Sequence, residues 1–237
     1  MVHYKLTDET ISVEYMGEQI ILHRIECTVA IAGVARVGDK GGFIQSELNL
    51  YSEAWVSDNA QVYGDACVYG NAQVSGNAQV YGNVQVYGYA RVYGHASVYG
   101  NVQVYGNARV YVRAFVSGNT HVSDNAQVYG CAFVTGDAHV SGNAQVYGDA
   151  WVSGDAWVSG DARVYGNRDY IVFRNWWSSG RYFTWTRSND MWLVGCFYGT
   201  GAELIEKAYR DSELSGREYA RIVRYVESIK IVQDGSK

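Results

Sequence analysis

The 237-residue chain sets 19 Lys and Arg against 24 Asp and Glu, a net charge of −5 divided as −3, −4 and +2 over residues 1–50, 51–167 and 168–237 (4 basic against 7 acidic, 4 against 8, 11 against 9), so no part offers the dense basic surface that nucleic acid demands. No apolar run approaches the length of a membrane span and the first residues are polar, so neither a membrane segment nor a signal peptide is expected. Cys27, Cys67, Cys131 and Cys196 lie far apart, without the spacing of a disulfide framework or a metal site, which predicts free thiols and a cytoplasmic location.

The chain begins with two β-rich runs, residues 10–13 and 20–23, on either side of Met16, Gly17 and Glu18, the pattern of a hairpin. A Gly-rich lead-in over residues 38–44 follows. From Val56 to Val164 valine then returns every six residues, 19 times without an insertion. Two residues before each valine stands Ala in 16 of the 19 units, with Val84, Val102 and Thr120 as the exceptions. Two residues after it stands Gly, replaced only by Asp58, Val112 and Asp124, and Asn or Asp comes next in 15 units. Alternation over Ala-x-Val makes one short strand with Ala and Val turned inward. Gly-Asn supplies the corner, because both residues accept a positive φ. Six residues leave no room for a helix and its return, so a parallel β-helix with coils about 4.8 Å apart is predicted.

Beyond the repeat, residues 181–187 and 191–194 around Ser188, Asn189 and Asp190 read as a second hairpin. Two helices follow, opened by Thr200 with Glu203 and by Ser215 with Glu218, each pair having capping-box spacing. Along the second, Tyr219, Ile222, Val223, Val226 and Ile229 share a face, so that helix is predicted to dock. The expected organisation is an N-terminal β-hairpin cap over 1–43, a β-helix over 44–167, and a hairpin plus two helices over 168–237.

The six-residue unit resembles the hexapeptide repeat of left-handed parallel β-helix proteins, in which three units close one triangular coil. The resemblance implies an all-β solenoid of roughly six coils, about 30 Å long. Ile44, Leu48 and Leu50 keep the register and predict a further coil of larger residues at the N-terminal end, the kind of cap that bare solenoid ends require. The flanking stretches 38–47 (GDKGGFIQSE) and 195–206 (GCFYGTGAELIE) resemble those of bacterial and phage hexapeptide-repeat proteins labelled acyltransferases. That label implies acyl-CoA as cofactor, a histidine general base and a trimeric assembly with clefts between subunits. Fold analogy alone does not supply an activity.

With 18 residues to a coil, residues 18 apart stack in one column. One face then carries Tyr93, Tyr111, Tyr129, Tyr147 and Tyr165 beside Arg91, Arg109 and Arg163. Tyr with Arg is the composition of a binding surface, suited to a homotrimer contact, a flat glycan or an anionic partner. On the other two faces the tyrosines of the early coils give way to Ser and Thr. There the bulky group moves across the strand, to Phe115, Phe133 and Trp151 on one face and to His121, His139 and Trp157 on the other. The aromatic strip of Phe115, Phe133 and Trp151, extended by Trp157, is large enough to call for burial, and the expectation is that the C-terminal helices or a second subunit cover it.

For chemistry, His95 at a corner and the stacked pair His121 and His139 are the candidate bases. His95, Arg113, Cys131 and Asp149 line one edge, a set of groups fit for nucleophilic or acid–base work, although His95 and Cys131 are two coils apart, on the order of 10 Å. The histidine column offers no third ligand to complete a zinc site, so no metal is expected. The unbroken register from 54 to 167 leaves no room for an extruded catalytic loop. The leading expectation is therefore a non-catalytic scaffold without a cofactor, recognising a protein or glycan partner through its Tyr-rich faces, and acting as an oligomer without membrane or nucleic acid. Acyl transfer with acyl-CoA is the alternative.

Overall fold

A computed structural model describes residues 2–177 and 180–234, with side chains to Lys230. Its centre is a three-sided parallel solenoid in which each six-residue unit forms one short strand. Val62, Val80 and Val98 stack in one sheet, Val56, Val74 and Val92 in a second, and Val68, Val86 and Val104 in a third. Partners are 18 residues apart throughout, the coil length that the resemblance to hexapeptide-repeat proteins implies. The second sheet has seven strands, and the coil through Ile44, Leu50 and Val56 completes the others, so the solenoid has about seven turns, the six expected of the hexads and the further N-terminal coil expected through Ile44 and Leu50. Every valine of the series from Val56 to Val164 is sealed from solvent.

Substitutions in the repeat are compensated locally. Thr120, fully buried where Ala is usual, gives its hydroxyl to the Ser117 carbonyl at 2.6 Å. Asp58 and Asp124 stand at the corner Gly position with φ of 58° and 57°, and each carboxylate accepts the N–H of the glycine one coil on, Gly76 at 2.8 Å and Gly142 at 3.0 Å. Val112 occupies the same position at φ 65°, a strained conformation for a β-branched residue. Two corners carry amide ladders: Asn83, Asn101, Asn119 and Asp137 in one, Asn107, Asn125, Asn143 and Asp161 in the other, at 2.7–3.2 Å. Each ladder ends on a carboxylate, which accepts and passes no hydrogen on.

At the N-terminal end, β1 (Tyr4–Tyr15) and β2 (Glu18–Cys27) form the predicted hairpin, longer than the sequence suggested. β2 pairs antiparallel with β3 (Lys40–Ile44), which pairs parallel with the Gln61–Tyr63 strand. The hairpin thereby extends one solenoid sheet, here called the hairpin face. At the other end Tyr170–Arg174, Tyr182–Thr186, Met191–Val194 and Phe197–Gly199 make an antiparallel sheet in chain order. The first and last of these strands are additional to the predicted hairpin. Against this sheet pack α1 (Gly201–Asp211) and α2 (Glu213–Asp234), burying Phe183, Trp185, Trp192, Leu204, Val223 and Val226 together. Thr200 and Glu203 form the predicted capping box. The Ser215–Glu218 box does not form: the helix starts earlier, Ser212 Oγ accepts the Ser215 N–H at 3.1 Å, and Glu218 pairs with Arg221.

The two ends of the coil ladder are closed by side chains of the flanking modules. Outward residues donate N–H to inward carbonyls of the next coil, as Gln61 does to Ala78 at 2.9 Å. The first coil therefore leaves inward carbonyls without a preceding coil, and the last leaves outward N–H and C=O groups without a following one. At the start, donors arrive: His3 Nε2 lies 2.9 Å from the Ala54 carbonyl and Tyr4 Oη donates to that of Leu50 at 3.0 Å. At the finish come acceptors and one donor, Tyr170 Oη, which gives its hydrogen to the Trp151 carbonyl at 2.9 Å. Asn167 takes the Trp151 N–H, Thr184 the Trp157 N–H, Ser188 the Arg163 N–H and Asp169 the Tyr165 N–H, all at 2.6–2.9 Å. These groups stand in for a missing coil and leave no row of unpaired backbone to template further strands. No helix among the described residues is long and apolar enough to cross a membrane, and the four cysteines are unpaired.

Candidate functional site

The tyrosine face is the seven-stranded sheet through Val56 and Val164. Tyr93, Tyr111, Tyr129 and Tyr147 stack with centroids 4.9–5.1 Å apart and planes within 11°. Rings at that spacing cover one another, so the ladder turns edges and hydroxyls outward. Tyr165 breaks the series at 65° to Tyr147 and is 61% exposed. Tyr111 and Tyr129 give their hydroxyls to Gln127 and Gln145 at 2.9 and 3.3 Å, and burial raises both of these phenol pKa values. Arg91 and Arg109 are Cα partners on adjacent strands, both exposed. No salt bridge or hydrogen bond to a carboxylate engages either among the described residues. With Gln73, Ser75 and Tyr93 they line a depression of about 210 Å³. Arg163 completes the set at the C-terminal end, its backbone N–H held by Ser188.

The hairpin face is divided. Tyr63 and Tyr81 lie under Tyr15, at 5.4 and 6.2 Å. Farther along, Phe115 stacks on Phe133 at 4.8 Å, and Trp151 tilts against Phe133. The expected fold-back of the C-terminal helices onto this strip does not occur. Phe133 is 44% and Trp151 54% exposed, because the aromatic-rich strands following the repeat form their own sheet and take the helices' apolar faces. Trp157 belongs to the third sheet, apart from the strip.

The third sheet, the histidine face, stacks His121, His139 and Trp157 in that order. The two imidazoles approach Nδ1 to Nδ1 at 3.3 Å, so one donates and the other accepts. Burial lowers the His139 pKa, and the nearby His121 acts in the same direction, opposed by Asp137. Trp157 lies 4.6 Å from His139. Beside them the solenoid and the C-terminal sheet leave a cleft of about 310 Å³, lined by Asp137, His139, Asp155, Trp157, Arg181, Tyr182 and Gly195. The Asp155 carboxylate accepts the Tyr182 hydroxyl hydrogen and holds that phenol above its usual pKa. Of the predicted bases, this cleft takes in His139. His95 stands exposed at its corner. Arg113, Cys131 and Asp149 follow it on the same edge, where the backbone N–H groups of His95, Arg113 and Cys131 donate to the carbonyls of Val112, Gly130 and Gly148, and no side-chain hydrogen bond links any of the four among the described residues. No group of three or more metal-ligating side chains occurs among the described residues. Asp137, Asp155, Arg181 and Tyr182 carry no sequence signal for the cleft, because their meeting depends on how a non-repetitive sheet docks on the last coil.

His3, buried against Ala54, and His139 both have pKa values lowered chiefly by burial. The unfolded chain therefore takes up protons that the folded one resists, and stability rises with pH where that difference exists. The expected outcome is full stability above the ordinary histidine value of 6.5 and a progressive loss as pH falls from there to the lowered folded values. Urea unfolding followed between neutral pH and about 5.5 measures it. His139→Gln should flatten the dependence, and an unchanged slope would assign it elsewhere.

Comparison with protein families matches the YdcK β-solenoid repeat to residues 60–76, 72–88, 78–94 and 144–160. These stretches lie within the solenoid and touch neither end module. Comparison with curated proteins gives no match.

Proposed function

We propose that this chain is a rigid, non-catalytic β-solenoid scaffold whose tyrosine face holds an anionic partner, a protein or a glycan. The observation behind it is the pair Arg91 and Arg109, placed in register without a counter-charge. Like charges opposed across adjacent strands destabilise a sheet, and a bound carboxylate or sulfate would relieve that repulsion. Of the four arginines in residues 51–167, three stand on this face. The edge-on ring ladder supports hydrogen bonding through its hydroxyls more than stacking on a sugar.

The test is binding of poly-L-glutamate and of heparin followed by fluorescence anisotropy at two salt concentrations. The native chain should bind at least one of them in a salt-sensitive manner, and Arg91→Gln with Arg109→Gln should weaken that binding about tenfold, or about 1.4 kcal/mol. Absence of binding to both would remove this reading. The molecular mass in solution, compared between the native chain and the Arg91→Gln, Arg109→Gln variant, tells whether the same face also joins copies of the chain, as a trimer would.

Acyl transfer is the second reading, and the observation favouring it is His139 in its cleft. A neutral imidazole is the form a general base requires. Titration with acetyl-CoA by calorimetry decides between the two: a saturable heat would replace the scaffold with the enzyme.

A further inference from the structure

We propose that the cleft between the histidine face and the C-terminal sheet is a saccharide-binding site that takes a single pyranose ring. Its volume of about 310 Å³ lies at the lower end of small-molecule sites. Both modules contribute walls: Asp137, His139, Asp155 and Trp157 from the last coils, Arg181, Tyr182 and Gly195 from the sheet.

Trp157 ends its stack. His139 covers one side of the indole at 4.6 Å, no other ring among the described residues lies against it, and it is 37% exposed. An aromatic face carries negative charge density and suits the C–H face of a sugar. Asp137 and Asp155 stand at the same corner on successive coils, 18 residues apart. Each is held by a donor: Asn119 Nδ2 reaches Asp137 Oδ1 at 2.7 Å, and Tyr182 donates to Asp155. A carboxylate has about four acceptor sites, so each retains capacity for sugar hydroxyls, while Arg181 supplies donors from the opposite wall. A wall of acceptors, a wall of donors and an apolar plate together match a neutral, many-hydroxyl ligand. An isolated cation would meet Arg181, and an isolated anion would meet two carboxylates.

The larger depression along α1, of about 430 Å³, lacks this complementarity, since Arg210 pairs with Glu206 and Glu203 with the Thr200 cap. The cleft lies on a different face from Arg91 and Arg109, so the two proposals fail separately.

The test uses the intact chain, titrated with the methyl pyranosides of glucose, galactose, mannose and N-acetylglucosamine, read by tryptophan fluorescence and calorimetry. At least one should saturate at millimolar concentration, and Trp157→Ala and Asp155→Asn should each weaken it about tenfold or more. Asn is the repeat's commonest residue at the position of Asp155, so that variant retains the corner. Arg91→Gln with Arg109→Gln should leave the affinity unchanged. The proposal is overturned if none of the four pyranosides saturates, if Asp155→Asn binds as the native chain does, or if arginine methyl ester binds more tightly than every sugar.

Discussion

Ending the chain at Asn167 is expected to convert a discrete solenoid into a species that associates end to end and unfolds more readily. The Trp157, Arg163 and Tyr165 N–H groups would lose the oxygens of Thr184, Ser188 and Asp169, and Tyr170 and Val172 would no longer cover the core. Val152, Val158 and Val164, now sealed, would meet water at the solenoid's end. An open coil of this kind presents unpaired backbone over apolar side chains, a template for strand addition. Light scattering over a concentration series should show a rising mass. A milder variant isolates the polar part: Thr184→Val with Ser188→Ala removes two acceptors and leaves the sheet in place. The Trp157 N–H is part-buried and the Arg163 N–H exposed, so the first loss approaches the cost of an unsatisfied buried donor and the second that of an ordinary bond, and the pair should lower stability by about 1–4 kcal/mol. A monodisperse truncated chain with native stability would show that the cap is dispensable.

The second large effect is expected at the corner glycines, where two constraints coincide. Gly118 has φ of 77°, and a Cβ there would lie 2.5 Å from the Gly136 carbonyl oxygen on the next coil. Gly154 has φ of 64° with nothing within 4 Å of the same point. Gly118→Ala should therefore cost about 3 kcal/mol or more, combining backbone strain with a clash against rigid main chain, while Gly154→Ala should cost about 1 kcal/mol from conformation alone. Thermal unfolding of the two variants side by side measures the difference. Equal losses would mean that coil spacing yields freely at the corner. Asp58 and Asp124 show how the repeat accommodates a side chain there, through a carboxylate that bonds the next coil's glycine N–H; alanine has no such group.

The columns along the solenoid were readable because a strict period without insertions keeps every coil in register once the number of units per coil is taken from the hexapeptide-repeat resemblance. Once 18 residues closed a coil, the neighbours of His121, Tyr111 and Phe133 followed from arithmetic. The Thr200–Glu203 cap was equally local, two side chains three residues apart satisfying N–H groups of their own first turn. The start of α2 was misread for a related reason: Ser212 and Ser215 both have the chemistry of a cap, and the upstream one is used. The fate of the Phe115–Phe133–Trp151 strip was beyond a local reading, since it turned on whether the tryptophans of the C-terminal strands paired with that strip or with each other.

Composition and period specify a parallel solenoid, since an apolar pair every six residues with Gly-Asn corners between is buried by coiling, and the resemblance to hexapeptide-repeat proteins adds three units to a coil. They also place Arg91 beside Arg109 and His121 beside His139. Ring orientation, which turns the tyrosine face from a set of platforms into a row of edges, follows from side-chain packing in three dimensions. So does the cleft around Trp157, whose two walls come from residues 137–157 and 181–195 of the chain. Nothing periodic connects Asp155 with Arg181 or Tyr182. They meet because the last coil needs acceptors for its N–H groups, and the sheet that supplies them leaves a gap beside the strand it caps.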